Sequence, residues 1–242
     1  MSNFLSPYRY AGGGGGPPPA GGPTFVSGAT VMAPNSGGSD ALTIPFTFST
    51  IGNVLVVIPL WASNLTARDT SMTTGGANIP TFNGTTMAVG TLSNSSRSHA
   101  GIYTIAPAAA GTQDVIVAPA SGWRSGACRV EEWTGVDITT PLNIAQSHSI
   151  SFSGDTFDMD AVTTDVGGVL IGGANFGALT PVPALTVGSL RSGGESGGDG
   201  TKDFYALWSY APIPTAGVTQ HLTHTQTGQT RTVGIIAELN PA

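Results

Sequence analysis

Charge is what this sequence has least of. Lys, Arg, Asp and Glu make up 9% of its 242 residues, against about 25% in a typical soluble domain. Lys202 is its one lysine, and 8 basic residues against 14 acidic leave a formal charge of −6. Nucleic-acid affinity rests largely on Lys and Arg that neutralise phosphates, so this balance argues against a phosphate-binding surface, and no nucleic-acid partner is expected. Cysteine is nearly absent as well. Cys128 stands alone, which rules out an internal disulfide framework and a Cys-based zinc site. Long apolar runs are missing too. The best, 54–62, contains Pro59 and falls far short of the roughly 18 apolar residues of a membrane-crossing helix. No membrane insertion is expected. No segment combines helix caps with a 3.6-residue apolar period. The first 16 residues lack the basic and apolar regions of a secretory signal, so assembly in a cytoplasm is expected.

What the chain does have is 35 glycines, 17 prolines and 40% hydrophobic residues. That apolar content is enough for a core and excludes wholesale disorder. Residues 1–23 differ from the rest. Phe4, Leu5, Tyr8, Arg9 and Tyr10 precede five glycines, three prolines and a Gly-Gly-Pro. Glycines cannot pack a core and prolines stiffen the exit. Two tyrosines, a phenylalanine and a leucine within ten residues are apolar for a free tail. The expectation is an arm whose tip docks on a partner, with a tether behind it.

From Thr24 onward, short runs rich in Val, Ile, Thr and aromatics are separated by Gly, Pro, Asn, Asp and Ser, the pattern of strands and turns. The runs are 42–48, 53–62, 100–106, 113–118, 127–133, 156–162, 168–173, 204–211, 218–223 and 230–239. The run 53–61 is continuously apolar after Asn53, as a strand covered on both sides would be. Pro59 removes a ladder donor there and predicts an edge or a bulge. The fold class is all-β: an antiparallel β-sandwich or jelly roll with two related halves, preceded by an extended Gly/Pro-rich arm.

The halves repeat one order of features. Ile102 to Pro107 parallels Leu207 to Pro212, each an aromatic strand ending Ala-Pro, followed by a hairpin. Gly52-Asn53-Val54 parallels Gly167-Gly168-Val169, and Val130 parallels Val233. A period near 105 is too long for a solenoid. It fits two small sandwiches or one jelly roll of two Greek keys. One domain over 24–242 is expected, because no linker separates the halves and about five strands make a marginal core.

Chemistry-bearing residues read mostly as structure. Gly194-Glu195-Ser196-Gly197-Gly198 spells a nucleophile-elbow string, but no helix follows, and 191–200 reads as a mobile surface loop. His221 and His224 are three apart in a strand and face opposite sides. His148 lies in a Gln/Ser-rich connection, and no acidic or Cys partner stands at ligand spacing, His99 included, so no zinc site is expected. Asp155, Asp158, Asp160 and Asp165 form the main acidic cluster. They lack the spacing of an EF-hand and read as a solvated face, with calcium near Asp155, Asp158 and Asp160 left open. Cys128 reads as a small buried hydrophobe. Arg129, Glu131 and Glu132 are placed on an outer face or at an interface, the two glutamates pointing opposite ways. Trp61, Trp133 and Trp208 read as core. Trp123 beside Arg124, in a loop, is a candidate glycan or interface contact. Sequons at Asn64, Asn83 and Asn94 carry little weight without a secretion signal. No catalytic residue, metal or cofactor is expected.

Three strings carry a resemblance: GNVLVVIPLW at 52–61, Ala106-Pro107 followed by GTQDVIV at 111–117, and VEEWTGVDITTPL at 130–142. Together with the Tyr8-Arg9-Tyr10-Ala11 poly-Gly leader, they resemble β-sandwich structural proteins of tailed bacteriophages and related gene transfer particles. The likeness covers roughly 24–240, and the Gly-Val-Asp string is its most specific piece. It implies a non-enzymatic virion component, a capsid decoration or head-fibre protein or a tail-fibre or tail-tip protein. The implied location is the virion, and the implied partners are other capsid or tail proteins. Such modules commonly form homo-oligomers, often trimers, and some bind host glycans. The alternative function is a glycan-binding adhesion module. An enzyme such as a depolymerase ranks third, because no glycosidase carboxylate pair is recognisable.

Overall fold

A computed structural model describes residues 21–32, 41–62, 79–95, 98–118, 127–150, 156–162, 167–177, 184–185, 189–196, 203–209, 217, 219–225 and 231–242. The described residues are all-β. In the first half the strands are β1 (Thr24–Met32), β2 (Leu42–Phe48), β3 (Val54–Ala62), β4 (Thr81–Phe82), β5 (Thr85–Thr86), β6 (Ala88–Ser95), β7 (Ser98–Ile105), β8 (Gly111–Val117) and β9 (Ala127–Thr134). In the second half they are β10 (Leu142–Ile150), β11 (Thr156–Val162), β12 (Val169–Gly177), β13 (Ala184–Leu185), β14 (Ser189–Ser196), β15 (Asp203–Ser209), β16 (Thr219–Thr225) and β17 (Arg231–Leu239).

Each half builds a large and a small antiparallel sheet. The first large sheet runs β1-β9-β3-β7-β6 and the second β10-β17-β12-β15-β14. The small sheets run β2-β8-β4-β5 and β11-β16-β13. The two orders are the same topology written twice: β9 corresponds to β17, β3 to β12, β7 to β15 and β2 to β11. The ladder registers refine the repeat. Val54 faces Trp133 and Val169 faces Leu239. Trp133 therefore matches Leu239, and Val130 matches Ile236 rather than Val233. The Ala106-Pro107 connection is not a hairpin. It carries the chain from the first large sheet to the first small one, where β8 pairs with β2.

Two cores follow from the alternation of β3. Leu55 and Val57 face β2 and β8, packing with Ile44, Phe46, Phe48, Phe82, Tyr103, Val115 and Cys128. Val54, Val56, Ile58 and Leu60 face the other way, onto Val169, Ile171, Val233, Ile235 and Leu239 of the second half. This explains the continuous apolar run: β3 has a hydrophobic layer on each side, and each fully buried Val, Leu or Ile contributes about 1.5–3 kcal/mol. In the second half, Leu170, Ile236 and Glu238 are also fully buried, on the face of their sheet turned away from the shared core.

The large sheets stack with β6 on β10, β7 on β17 and β3 on β12. Lateral order is reversed and strand direction kept, so an approximate two-fold runs along the strands. Pro59 sits in a central strand without a bulge, contrary to the edge or bulge its missing donor predicts. The β3–β7 ladder holds at Val57↔Tyr103 and resumes at Leu60↔Ala100 in unchanged register. The proline is tolerated because the ladder skips that rung while Pro59 still pairs with Cys128 of β9.

Candidate functional site

Strand polarity gives the molecule two ends. At one, β1 begins, β9 ends, β3 and β12 begin, and β7 and β17 end. The arm enters here. Its last glycines cross the junction of the halves so closely that a Cβ on Gly22 would stand 2.8 Å from the Gly167 carbonyl oxygen. A Cβ on Gly135 would collide with the carbonyls of Gly21 and Gly22. Gly135 also has φ +69°, a left-handed conformation that favours glycine.

The connection between the halves and the C-terminal residues are sewn together at this end. Asp137 N–H donates to Asn240 O at 3.0 Å, Asn240 N–H to Pro141 O at 3.1 Å and Ala242 N–H to Gly135 O at 3.0 Å. Asn240 Nδ2 donates to Thr140 O at 2.6 Å. Asp137 accepts from Thr139 N at 2.7 Å and from Thr140 N and Oγ1. The Thr139 N–H, then the Thr140 hydroxyl and N–H, hold its carboxyl below the usual range. The Gly-Val-Asp string is thus an Asx-type turn that fixes how the second half leaves the first.

Glu132 fixes the neighbouring corner. Its carboxylate accepts from Ser49 N and Oγ, Thr50 N and Asn53 Nδ2, at 2.6–3.3 Å. Burial pushes its carboxyl up, but the Ser49, Asn53 and Thr50 hydrogen bonds outweigh it and the net shift is down. Glu131 points the other way, as strand alternation predicts. It accepts from Arg129 Nε at 3.0 Å and Trp133 Nε1 at 3.0 Å. Arg129 also donates to Thr30 Oγ1 and lies 5.9 Å above the Phe25 ring, which meets Trp133 edge-on. Both glutamates are fully buried. An outer-face placement does not hold for them: they are buried anchors of β9.

Four of the six exposed large apolar side chains among the described residues stand at the arm end, the other two, Met32 and Ile116, lying towards the far end. Ile51 is 63% exposed, Ile138 55%, Val26 42% and Phe25 40%. A groove of about 200 Å³ opens nearby, lined by Phe82, Asn83, Thr85, Ile105, Pro107, Ala109 and Gln113 among others. One wall is the two-residue hairpin Asn83-Gly84, both with positive φ, joining Phe82 to Thr85. Asn-Gly between apolar runs is the strongest short hairpin signal. Reading Asn83 as a sequon passed over it.

Deeper in the first core, His99, Tyr103 and Cys128 are fully buried. A Cβ on Gly101 would lie 2.8 Å from His99 Nε2 and 3.1 Å from Tyr103 Oη. Burial lowers the His99 pKa to about 3 and pushes the Tyr103 hydroxyl and Cys128 thiol far up. All three therefore stay neutral at pH 7, and Cys128 behaves as a packed hydrophobe.

Other candidates fall as follows. Phe4, Leu5, Tyr8, Arg9, Tyr10, Trp123, Arg124, Asp155 and Asp165 lie outside the described residues. Ser196 ends β14, so the first part of 191–200 is a paired strand rather than a loop: Glu195 faces Phe204 and Ser196 faces Asp203. His148 belongs to β10, not to a connection, and faces Gly234. Asp158, Asp160, His221 and His224 lie in the β11–β16 ladder, where Asp160 faces His221. Among the described residues no three His, Cys, Asp or Glu are grouped to hold a metal, and no helix is long and apolar enough to cross a membrane.

The chain matches no protein-family model, no curated protein and no solved structure.

Proposed function

We propose that this chain is a non-enzymatic structural component of a phage-like virion, a capsid decoration or head-fibre protein or a tail-fibre or tip protein. The arm, residues 1–23, anchors it to other virion proteins through Phe4, Leu5, Tyr8, Arg9 and Tyr10, and the tandem sandwich projects outward. One observation carries the reading. The arm, the connection between the halves and the C-terminal residues converge on one end, which is rich in exposed apolar side chains. A low charge content favours close packing against neighbours over long-range steering. Deleting residues 1–16 is expected to leave a folded sandwich that no longer joins particles. Incorporation of the truncated chain at normal copy number would overturn the anchoring role.

A second reading, glycan binding, draws on the opposite end. Val117 and Ala127, which flank 119–126, and Ser196 and Asp203, which flank 197–202, all stand at the end far from the arm. The sequence carries Trp123 and Arg124 in the first of these connections. Trp123→Ala is expected to weaken binding to host polysaccharide while the thermal unfolding transition is kept. Unchanged binding would remove Trp123 from this role.

A further inference from the structure

We propose that in the free chain the apolar tip of the arm, residues 4–10, folds back onto its own sandwich and lies in the groove between the Asn83-Gly84 hairpin and the 106–110 crossover. Position, chemistry and tether length each point to this occupant.

The groove opens at the end where the arm enters. Phe82, Ile105 and Pro107 give it an apolar floor, and Ala108 and Ala109 leave room for rings. Asn83 and Gln113 at its margin offer amides to tyrosine hydroxyls. The tip supplies Phe4, Leu5, Tyr8 and Tyr10.

The tether fits the span. From the start of β1 to the end of β7 is three strand spacings, about 14 Å. The ten residues 11–20 separate the tip from Gly21. As a Gly-rich coil they average about 18 Å end to end, and the three prolines lengthen this somewhat. A tether whose mean length matches the span gives the highest local concentration, in the millimolar range for short flexible linkers. A contact with a dissociation constant well below millimolar is then mostly closed. Docked, the tip is sheltered from premature association, and a partner must displace it. This concerns the free chain and does not depend on what the tip meets on a particle.

The test places a nitroxide at residue 2 of the full chain through Ser2→Cys. Buried Cys128 does not compete for the label. Amide signals are then read by NMR with the label oxidised and reduced. Several-fold intensity loss is expected at Asn83, Ala109 and Gln113, unchanged on dilution and relieved by Tyr8→Ser with Tyr10→Ser. Ala109→Glu, at an exposed position, is expected to relieve it too. Loss spread evenly over the arm end, or loss that survives both sets of variants, would overturn the proposal. Loss at the groove that disappears on dilution would place the tip in a second copy and overturn the folded-back arrangement.

Discussion

Glu132 faces Leu55 across the β9–β3 ladder, and Glu238 faces Leu170 across the β17–β12 ladder. The two glutamates stand on the same rung of the two halves, and both are fully buried. In the first half Asn53, just before β3, donates to Glu132 Oε1 at 2.7 Å. In the second, Gly168 holds the matching place, and a Cβ there would stand 2.9 Å from Glu238 Oε1. The repeat therefore conserves a carboxylate under the corner that opens the central strand, while the residue above it has changed from an amide to a glycine. In the first half the carboxylate gives the backbone N–H groups of Ser49 and Thr50, at a tight corner, the acceptors that the ladder cannot give.

Glu132→Ala removes the shared acceptor of Ser49, Thr50 and Asn53. A loss of about 1.5–3 kcal/mol is expected, since hydrogen bonds to a charged group contribute more than neutral ones and the buried Asn53 amide is left without its acceptor, while Ser49 and Thr50 are exposed and turn to water. Chemical denaturation checks it. The folded-state pKa is lowered, so this contribution is present above the ordinary carboxylate pKa of about 4.5 and is lost as pH falls below it. Glu132→Gln is expected to flatten stability against pH in that acid range.

Arg129→Ala leaves Glu131 buried without its cation, where the pair is 3.0 Å apart. Breaking a buried pair from one side costs about 3–5 kcal/mol. The double change Arg129→Met with Glu131→Gln is expected to recover much of that loss in urea denaturation. If the double variant is as unstable as the single one, the uncompensated charge is not the cause.

Tyr103 Oη is buried with no hydrogen-bond partner. Tyr103→Phe is therefore expected to be neutral or slightly stabilising, whereas Tyr103→Ala opens a cavity and costs about 3–5 kcal/mol. Thermal unfolding of the two variants checks this. A large loss in the phenylalanine variant would mean that the hydroxyl is bonded.

His99 has a folded pKa of about 3 against 6.5 in a free side chain. Below 6.5 the unfolded chain binds a proton that the folded one refuses. Stability is thus full above pH 6.5 and falls as pH drops towards 3, by at most about 1.4 kcal/mol per pH unit. His99→Gln is expected to remove this slope between pH 6 and about 4.5, above the carboxylate range, as read from urea midpoints.

The strands legible in the sequence were those with a continuous apolar run or a regular apolar alternation, at a sheet edge such as β2 as well as in a sheet centre such as β3. The runs 42–48 and 156–162 match β2 and β11 in full, and β3, β7, β9, β12 and β17 lie within a few residues of their runs. The strands without a clear signal are mostly sheet edges: β1, β6, β10 and β14. An edge strand needs less apolar surface, so TFVSGATVM and SLRSGGES read as loop-like Gly and Ser. The repeat was visible as an order of features, but its β9–β17 alignment was three residues out, because only the ladder shows that Glu132 matches Glu238. The buried role of Glu131 and Glu132 was hidden for a related reason. Charge reads as surface unless the donors are known: those of Glu132 come from Ser49 and Asn53, about 80 positions away, and those of Glu131 from Arg129 and Trp133, which only the inward turn of this face of β9 brings into use.

The most direct test of the account is to raise antibodies against residues 24–242 and label particles released from lysed cells that make this chain, imaging them by negative-stain electron microscopy. Label at regular points on heads or at tail ends is the predicted result, and its position assigns the chain to a decoration or fibre role. Particles that carry no label, from cells shown to contain the chain, would contradict the virion assignment.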